Sequence, residues 1–161
     1  MTLSARTAAV LVASDGVVAG TRQDKSGDIA EQKLTDAGFD VVSRLVVPDE
    51  TDVIEKAIEG LVDEVRVIIT SGGTGFGPRD VTPEATLRVI DKRAEGLEHL
   101  MRIAGLEATK TAALSRAVAG SVGSTLIINT PGSSRAVSES LDSVMDLIPH
   151  ILDLLEGNTG H

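Results

Sequence analysis

Two aspartates, Asp49 and Asp80, and a glycine-rich run from Ser71 to Gly77 are the residues of this chain best suited to chemistry on a phosphate. Paired carboxylates near a polyphosphate are a common means of holding magnesium, a hard cation that takes oxygen ligands. In Ser71-Gly72-Gly73-Thr74-Gly75 the glycines permit positive φ and close approach of a ligand, so several backbone amides can converge on phosphate oxygens. Each feature also has a plainer reading. Asp49 precedes Glu50-Thr51-Asp52 and can cap a helix, Asp80 can bind amides of its own loop, and the glycines can simply make a tight strand-to-helix turn.

The glycine run is neither of the two commonest phosphate motifs. Gly72 to Gly77 matches half of a Walker A, but Pro78-Arg79 stands where Lys-Ser/Thr is required. Gly73, Gly75 and Pro78 fall on the three glycine positions of a dinucleotide fingerprint, which argues against a nicotinamide site. With no cysteine in the chain, disulfides, thiolate zinc sites and cysteine nucleophiles are excluded. His99, His150 and His161 lack metal-ligand spacing and read as structural or solvated.

The elements that must position these residues alternate in type. Residues 8–13, 41–47, 65–69 and 126–128 are rich in β-branched or aliphatic side chains and read as strands. Helical stripes lie between them: Ile29, Leu34 and Ala37, stopped by Gly38; Ile54, Ala57, Ile58 and Leu61; and Val137, Leu141, Val144, Leu147 and Ile148. Thr82-Pro83-Glu84 has the N-cap, first-position proline and early acid of a helix start. The alternation predicts an α/β fold, a mainly parallel sheet flanked by helices on both faces. Ligands of such sheets collect at the carboxyl ends of strands. Ser14-Asp15, Pro48-Asp49, the Ser71 to Gly75 loop and Asn129 to Ser133 each follow a predicted strand, so one crevice gathers all four.

Composition narrows the partners. A chain of 161 residues with 42% hydrophobic content can bury one sizeable core. A net charge of −9 and only two aromatic residues, Phe39 and Phe76, argue against a nucleic-acid or anionic-membrane surface. The apolar run at 8–13 is too brief for a membrane span, and 147–155 is interrupted by Pro149, His150 and Asp153. These features predict a soluble, cytoplasmic protein in which local amides and cations offset the overall negative charge at one site.

Residues 70–86, Thr-Ser-Gly-Gly-Thr-Gly-Phe-Gly-Pro-Arg-Asp-Val-Thr-Pro-Glu-Ala-Thr, resemble the signature of the molybdenum cofactor biosynthesis proteins of the Mog/MoaB family, whose domain also occurs in plant and animal proteins such as gephyrin. Three further segments match in order: Ser14-Asp15 followed by Asp24-Lys25-Ser26-Gly27, then Val47-Pro48-Asp49, then Leu114-Ser115-Arg116-Ala117 with Asn129-Thr130-Pro131-Gly132-Ser133. The sequence departs from the pattern at Thr130, where Leu or Met is usual, and at Ser134, where Pro or Lys is frequent.

The resemblance implies a three-layer sandwich, with one molybdopterin-binding domain over 1–157 and a frayed tail at 158–161. It implies adenylyl transfer: the terminal phosphate of molybdopterin attacks the α-phosphorus of ATP and pyrophosphate leaves. Asp49 and Asp80 match the acidic positions to which the family's catalytic role is ascribed, and would organise Mg2+. Ser14, Asp15, Ser26, Gly27, Ser71, Gly72, Gly73, Thr74, Gly75, Ser115, Arg116, Pro131, Gly132 and Ser133 match its substrate-contacting segments. On the residues alone, Ser26 can instead cap the helix carrying Ile29, Ser115 can be an ordinary hydroxyl and Arg116 a surface charge. Pro131-Gly132-Ser133 reads as the turn that starts the C-terminal helix. A second reading is a binding-only carrier of molybdopterin, and a third an interaction scaffold. Self-association as a trimer or hexamer, and contact with other proteins of the pathway, are further implications.

Overall fold

The computed structural model describes residues 6–160. Four strands answer the predicted runs: β1 (Thr7–Ala13), β2 (Asp40–Val47), β3 (Val67–Ser71) and, at the far end of the chain, Thr125–Thr130. Two short strands went unpredicted, β4 (Lys92–Arg93) and β5 (Ala119–Val122), which makes the Thr125–Thr130 strand β6. The six form one sheet in the order β2-β1-β3-β6-β5-β4. β2, β1, β3 and β6 run parallel, while β5 is antiparallel to both β6 and β4. The sheet is therefore mainly parallel, as expected, with an antiparallel margin.

Seven helices complete the described residues: α1 (Asp15–Val18), α2 (Lys25–Asp36), α3 (Thr51–Val62), α4 (Thr82–Leu87), α5 (Glu95–Leu106), α6 (Ser134–Val144) and α7 (Ile148–Leu155). Because successive strand residues point to opposite faces, β1 feeds both layers. Ala8, Val10 and Val12 pack with Leu34, Val67, Ile69, Leu141, Val144 and Ile148, under α2, α5, α6 and α7. Ala9, Leu11 and Ala13 pack with Ile54, Ile58, Leu61, Ile68 and Ile127, under α3 and α4. Truncating any fully buried Leu or Ile of these two layers costs about 2–5 kcal/mol.

Several local expectations need correction. The third strand starts at Val67, not Val65, because Arg66 turns inward: its side chain is buried, pairs with Glu156, and donates to the carbonyls of Ser124 and Leu152. Leu147 leaves the apolar stripe and is 39% exposed, since a 3-10 turn at Met145–Leu147 breaks the helical phase before α7. Val81, not Thr82, precedes the first turn of α4, and Thr82 makes no capping hydrogen bond. Gly38 does end α2, with φ of 88°, and the Gly38 and Phe39 amides return to the carbonyls of Thr35 and Leu34. His99 and His150 are exposed, and His161 lies outside the described residues. Among the described residues, no helix is long and apolar enough to cross a membrane.

The strand order sets the place of the site. From β1 the chain goes to one side for β2, and returns to the other side for β3. At such a reversal the connections leave the carboxyl ends in opposite directions and a crevice opens between them. The crevice here lies beyond Ala13 and Ser71.

Candidate functional site

A cavity of about 930 Å³ opens at that reversal. Its wall holds Ser14, Ser26, Asp49, Ser71, Gly72, Gly73, Thr74, Gly75, Asp80, Ser115, Pro131, Gly132 and Ser133, so segments from all four predicted motifs meet there. Asp15, Gly27 and Arg116 do not line it. Asp15 and Arg116 instead hold neighbours that do, Asp49 and the Gly75 and Asp80 carbonyls, while the Gly27 amide binds the capping Asp24.

The floor is built by glycine conformations that no other residue adopts cheaply. Gly72 has φ of 94° and its amide donates to the Thr130 carbonyl at 3.1 Å; a Cβ placed on it would lie 2.3 Å from the Ala13 carbonyl oxygen. The strand end of β1 can therefore approach β3 only beside glycine. Gly73 follows with φ of 68°. The amides of Gly73, Thr74 and Gly75 donate to no protein acceptor among the described residues, leaving a row of N–H groups at the cavity.

Asp49 and Asp15 are tied reciprocally. The Asp15 amide donates to Asp49 Oδ2 at 2.9 Å, and the Asp49 amide donates to Asp15 Oδ1 at 3.0 Å. Asp49 is thus not the cap of α3, a position that falls to Glu50 without a side-chain bond. The environments push the two carboxyls apart. Burial raises the Asp49 carboxyl above its ordinary range, with the negative charges of Asp15 and Asp80 adding to it. Asp15 is lowered, first by its hydrogen bonds from Arg79, whose Nε and Nη2 lie 3.0 and 3.1 Å from its two oxygens. Asp15 serves to orient Asp49 and to receive Arg79.

Asp80 combines both readings open for it. Its Oδ2 accepts from the Gly77 amide at 2.8 Å, and a Cβ on Gly75 or Gly77 would come within 2.9 Å of that oxygen, so the carboxylate sits folded into the loop while still lining the cavity. Arg116 is neither a surface charge nor a cavity cation. Its Nε donates to the Gly75 carbonyl at 2.7 Å, its Nη2 to the Asp80 carbonyl at 2.9 Å, and it pairs with Glu84, whose carboxyl it lowers. Its guanidinium also lies 5.5 Å from the centre of the Phe76 ring. Arg116 clamps the glycine loop from behind.

The remaining predicted residues fall into place by their hydrogen bonds. Ser14 Oγ caps α1, accepting from the Val17 amide at 3.2 Å. Ser26 does not cap α2; Asp24 does, through the Gly27 amide, and the absent Gly27 side chain leaves room for that carboxylate. Ser26 Oγ instead meets Ser71 Oγ at 2.9 Å, and Ser71 Oγ is 3.2 Å from the Pro131 carbonyl. Ser115 Oγ accepts from the Ala117 amide. Ser133 caps α6, so Pro131-Gly132-Ser133 is the helix-starting turn that was expected. The two departures from the pattern separate. Thr130 is buried within the sheet, donating to the Thr70 carbonyl at 2.8 Å, and does not reach the cavity, whereas Ser134 lines it.

Sequence reasoning missed three cations on the cavity wall: Arg22, Lys25 and Arg102. Arg22 and Lys25 are exposed and have no ion-pair partner among the described residues. Their signal lies in the segment around Asp24, which Arg22 and Lys25 flank and in which only Ser26 and Gly27 match substrate-contacting positions. Arg102 is partly engaged, 3.5 Å from Glu98. No group of three or more His, Cys, Asp or Glu side chains suited to a metal occurs among the described residues. A cation held by Asp49 and Asp80 would complete its shell with ligand phosphates and water, the usual habit of magnesium.

These features have counterparts in known proteins. Residues 9–150 match the family model described as a probable molybdopterin binding domain. The chain is 39% identical over 153 residues to the molybdopterin adenylyltransferase of Helicobacter pylori strain J99, covering 92% of this chain and 87% of that one. It is 41% identical over 150 residues to the molybdenum cofactor synthesis protein cinnamon of Drosophila melanogaster, covering 91% of this chain. The chain spans about a fifth to a half of the longer curated relatives it matches. Among solved structures, the molybdopterin biosynthesis enzyme MoaB of Thermus thermophilus superposes with a TM-score of 0.89 at 42% identity, covering 94% of this chain and 97% of that one. A strand order reversing beside a glycine loop, two aspartates at the opening and a match along most of the chain agree on one conclusion: this protein belongs to the Mog/MoaB family of molybdenum cofactor biosynthesis proteins.

Proposed function

We propose that the protein is a molybdopterin adenylyltransferase, transferring AMP from Mg-ATP to the terminal phosphate of molybdopterin with release of pyrophosphate. The observation that carries this reading is the meeting of unengaged amides from Gly73, Thr74 and Gly75 with Asp49 and Asp80 at one cavity. Such a site has donors for phosphate oxygens and carboxylates for the metal that accompanies them. An oxygen of the molybdopterin phosphate forms a bond to the α-phosphorus of ATP while the bond from that phosphorus to the pyrophosphate oxygen breaks. The acceptor phosphate is already ionised at neutral pH, so no protein nucleophile is needed and catalysis rests on alignment and charge.

The chain's residues divide this work. The amides after Gly72 grip phosphate oxygens and fix their direction. Ser14, Ser26, Ser71, Thr74, Ser115 and the Pro131-Gly132-Ser133 turn supply neutral polar contacts, Asp15 and Gly27 hold that wall in shape, and Arg116 keeps the loop from opening. Arg22 and Lys25 add positive charge at the mouth of an otherwise acidic molecule. The donors fit magnesium: Asp49 Oδ1 and Asp80 Oδ1 are carboxylate oxygens that accept no hydrogen bond from the described residues. When bound, magnesium would neutralise the triphosphate and the departing pyrophosphate.

The binding-only carrier remains the second reading, and retention of both aspartates favours the enzyme. A cytoplasmic homo-oligomer, trimer or hexamer, completes the proposal; Leu100, Ile103 and Leu106 lie three apart on α5 and stay exposed, as a self-associating face requires. Pyrophosphate release is the test. Release that requires both ATP and molybdopterin supports the enzyme, and tight pterin binding with no release supports the carrier.

A further inference from the structure

Thr82 Oγ1 is the one buried side-chain polar atom among the described residues with no hydrogen-bond partner, and the residue is 0% exposed. An unpaired buried hydroxyl opposes folding, and valine would fill nearly the same space without it. The helix does not need that hydroxyl. Thr82 is not the cap of α4; its amide donates to the Gly73 carbonyl at 3.1 Å, and its carbonyl accepts from Thr86 Oγ1 at 2.9 Å.

The hydroxyl lies beside the same glycine as Asp49. A Cβ built on Gly73 would lie 2.4 Å from Thr82 Oγ1 and 3.3 Å from Asp49 Oδ1, so the two oxygens flank one point that glycine leaves free of any side chain. Asp49 Oδ2 is occupied by the Asp15 amide, while Oδ1 accepts no hydrogen bond from the described residues. The two oxygens therefore lie no farther apart than the sum of those distances, within the reach of one bridging water. Asp49 and Gly73 line the cavity, with Thr82 behind them.

We propose that Thr82 is a positioning residue for the cation held by Asp49, its hydroxyl fixing a water of that cation's hydration shell against Asp49 Oδ1 and Gly73. The inference rests on the reading of Asp49 as a magnesium-organising group. Magnesium sheds water reluctantly, so a site with few protein ligands must hold the retained water by its hydrogen bonds. Removing such an outer partner lowers metal affinity about 10–100-fold.

The test is titration of the purified full chain with Mn2+, an ion of the same oxygen preference, read by the electron paramagnetic resonance of the free ion, with Mg2+ as competitor. The parent and Thr82→Ser are expected to bind alike and Thr82→Val at least about tenfold more weakly, with thermal unfolding showing Thr82→Val folded and no less stable than the parent. Equal Mn2+ affinity in Thr82→Val and the parent overturns the proposal, as does absence of Mn2+ binding in the parent. Asp49→Asn separates the two failures. Loss of binding in Asp49→Asn with Thr82→Val unchanged removes the role of Thr82 alone, and unchanged binding in Asp49→Asn removes the reading of Asp49 as well.

Discussion

Replacing Gly72 by alanine should unfold the protein far more readily than the same change at Gly60, although both add one methyl group. Gly72 has φ of 94°, where an L-residue carries about 1–3 kcal/mol of strain. Its new Cβ would also lie 2.3 Å from the Ala13 carbonyl oxygen, a backbone atom at the end of β1. β1 is bound along both edges by β2 and β3, so relief requires moving the sheet, which adds about 1–3 kcal/mol of overpacking strain. The loss is about 4 kcal/mol, or about 8–16 °C in melting temperature for a chain of this size. Gly60 lies inside α3 with nothing within 4 Å of an added Cβ, so alanine there gains about 0.5–1 kcal/mol from helix propensity. Urea unfolding and calorimetry on the two variants read both values. A Gly72→Ala protein melting within about 2 °C of the parent, or a Gly60→Ala protein less stable than it, would refute the reasoning.

Three further outcomes follow from single side chains. Arg116→Met frees the Gly75 and Asp80 carbonyls and the Glu84 carboxylate, lowering stability by about 1–3 kcal/mol in chemical unfolding and reducing turnover through a loosened loop. The Glu84 carboxyl is lowered in the fold, so the pair's stabilisation is full above its ordinary value of 4.5 and disappears as pH falls through the folded value; the gap between variant and parent should narrow in acid. Asn129→Ala removes a buried amide that donates to Thr70 Oγ1 and Thr86 Oγ1 at 2.9 Å and accepts from the Val118 amide at 3.1 Å, with an expected cost of about 2–4 kcal/mol by urea unfolding. Asp49→Asn should melt no lower than the parent at neutral pH while turnover is lost, because burial disfavours the Asp49 carboxylate and an amide oxygen still accepts from Asp15.

The parallel part of the fold was legible because its strands are rich in β-branched and aliphatic residues, even where Ser43-Arg44 interrupts β2, and both helical layers were legible from their periodic stripes. The antiparallel margin was not. β4 has two exposed residues, and β5 begins Ala119-Gly120, where the Lys92 carbonyl and Ile90 pack so near Gly120 that a Cβ would lie 2.5 and 2.7 Å from them. Such pairing depends on a distant partner and leaves no local pattern. At the site, residue type and strand-end position located Asp49, Asp80 and the glycine loop. They could not distinguish Arg116 on the loop's back from Arg22 and Lys25 at its mouth, since that depends on how a segment 41 residues from Gly75 folds across the loop. The Thr82-Pro83-Glu84 motif reads as a cap because nothing local to it shows that the hydroxyl is buried beside Gly73 and Val81 takes the cap position.

Adenylyl transfer is followed by incubating the purified chain with molybdopterin, magnesium and ATP labelled at the α-phosphorus, and locating the label. Label is expected in the pterin product in the parent, and pterin binding without labelled product in Asp49→Asn and Asp80→Asn. Pterin bound by the parent with all the label left in ATP would contradict adenylyl transfer.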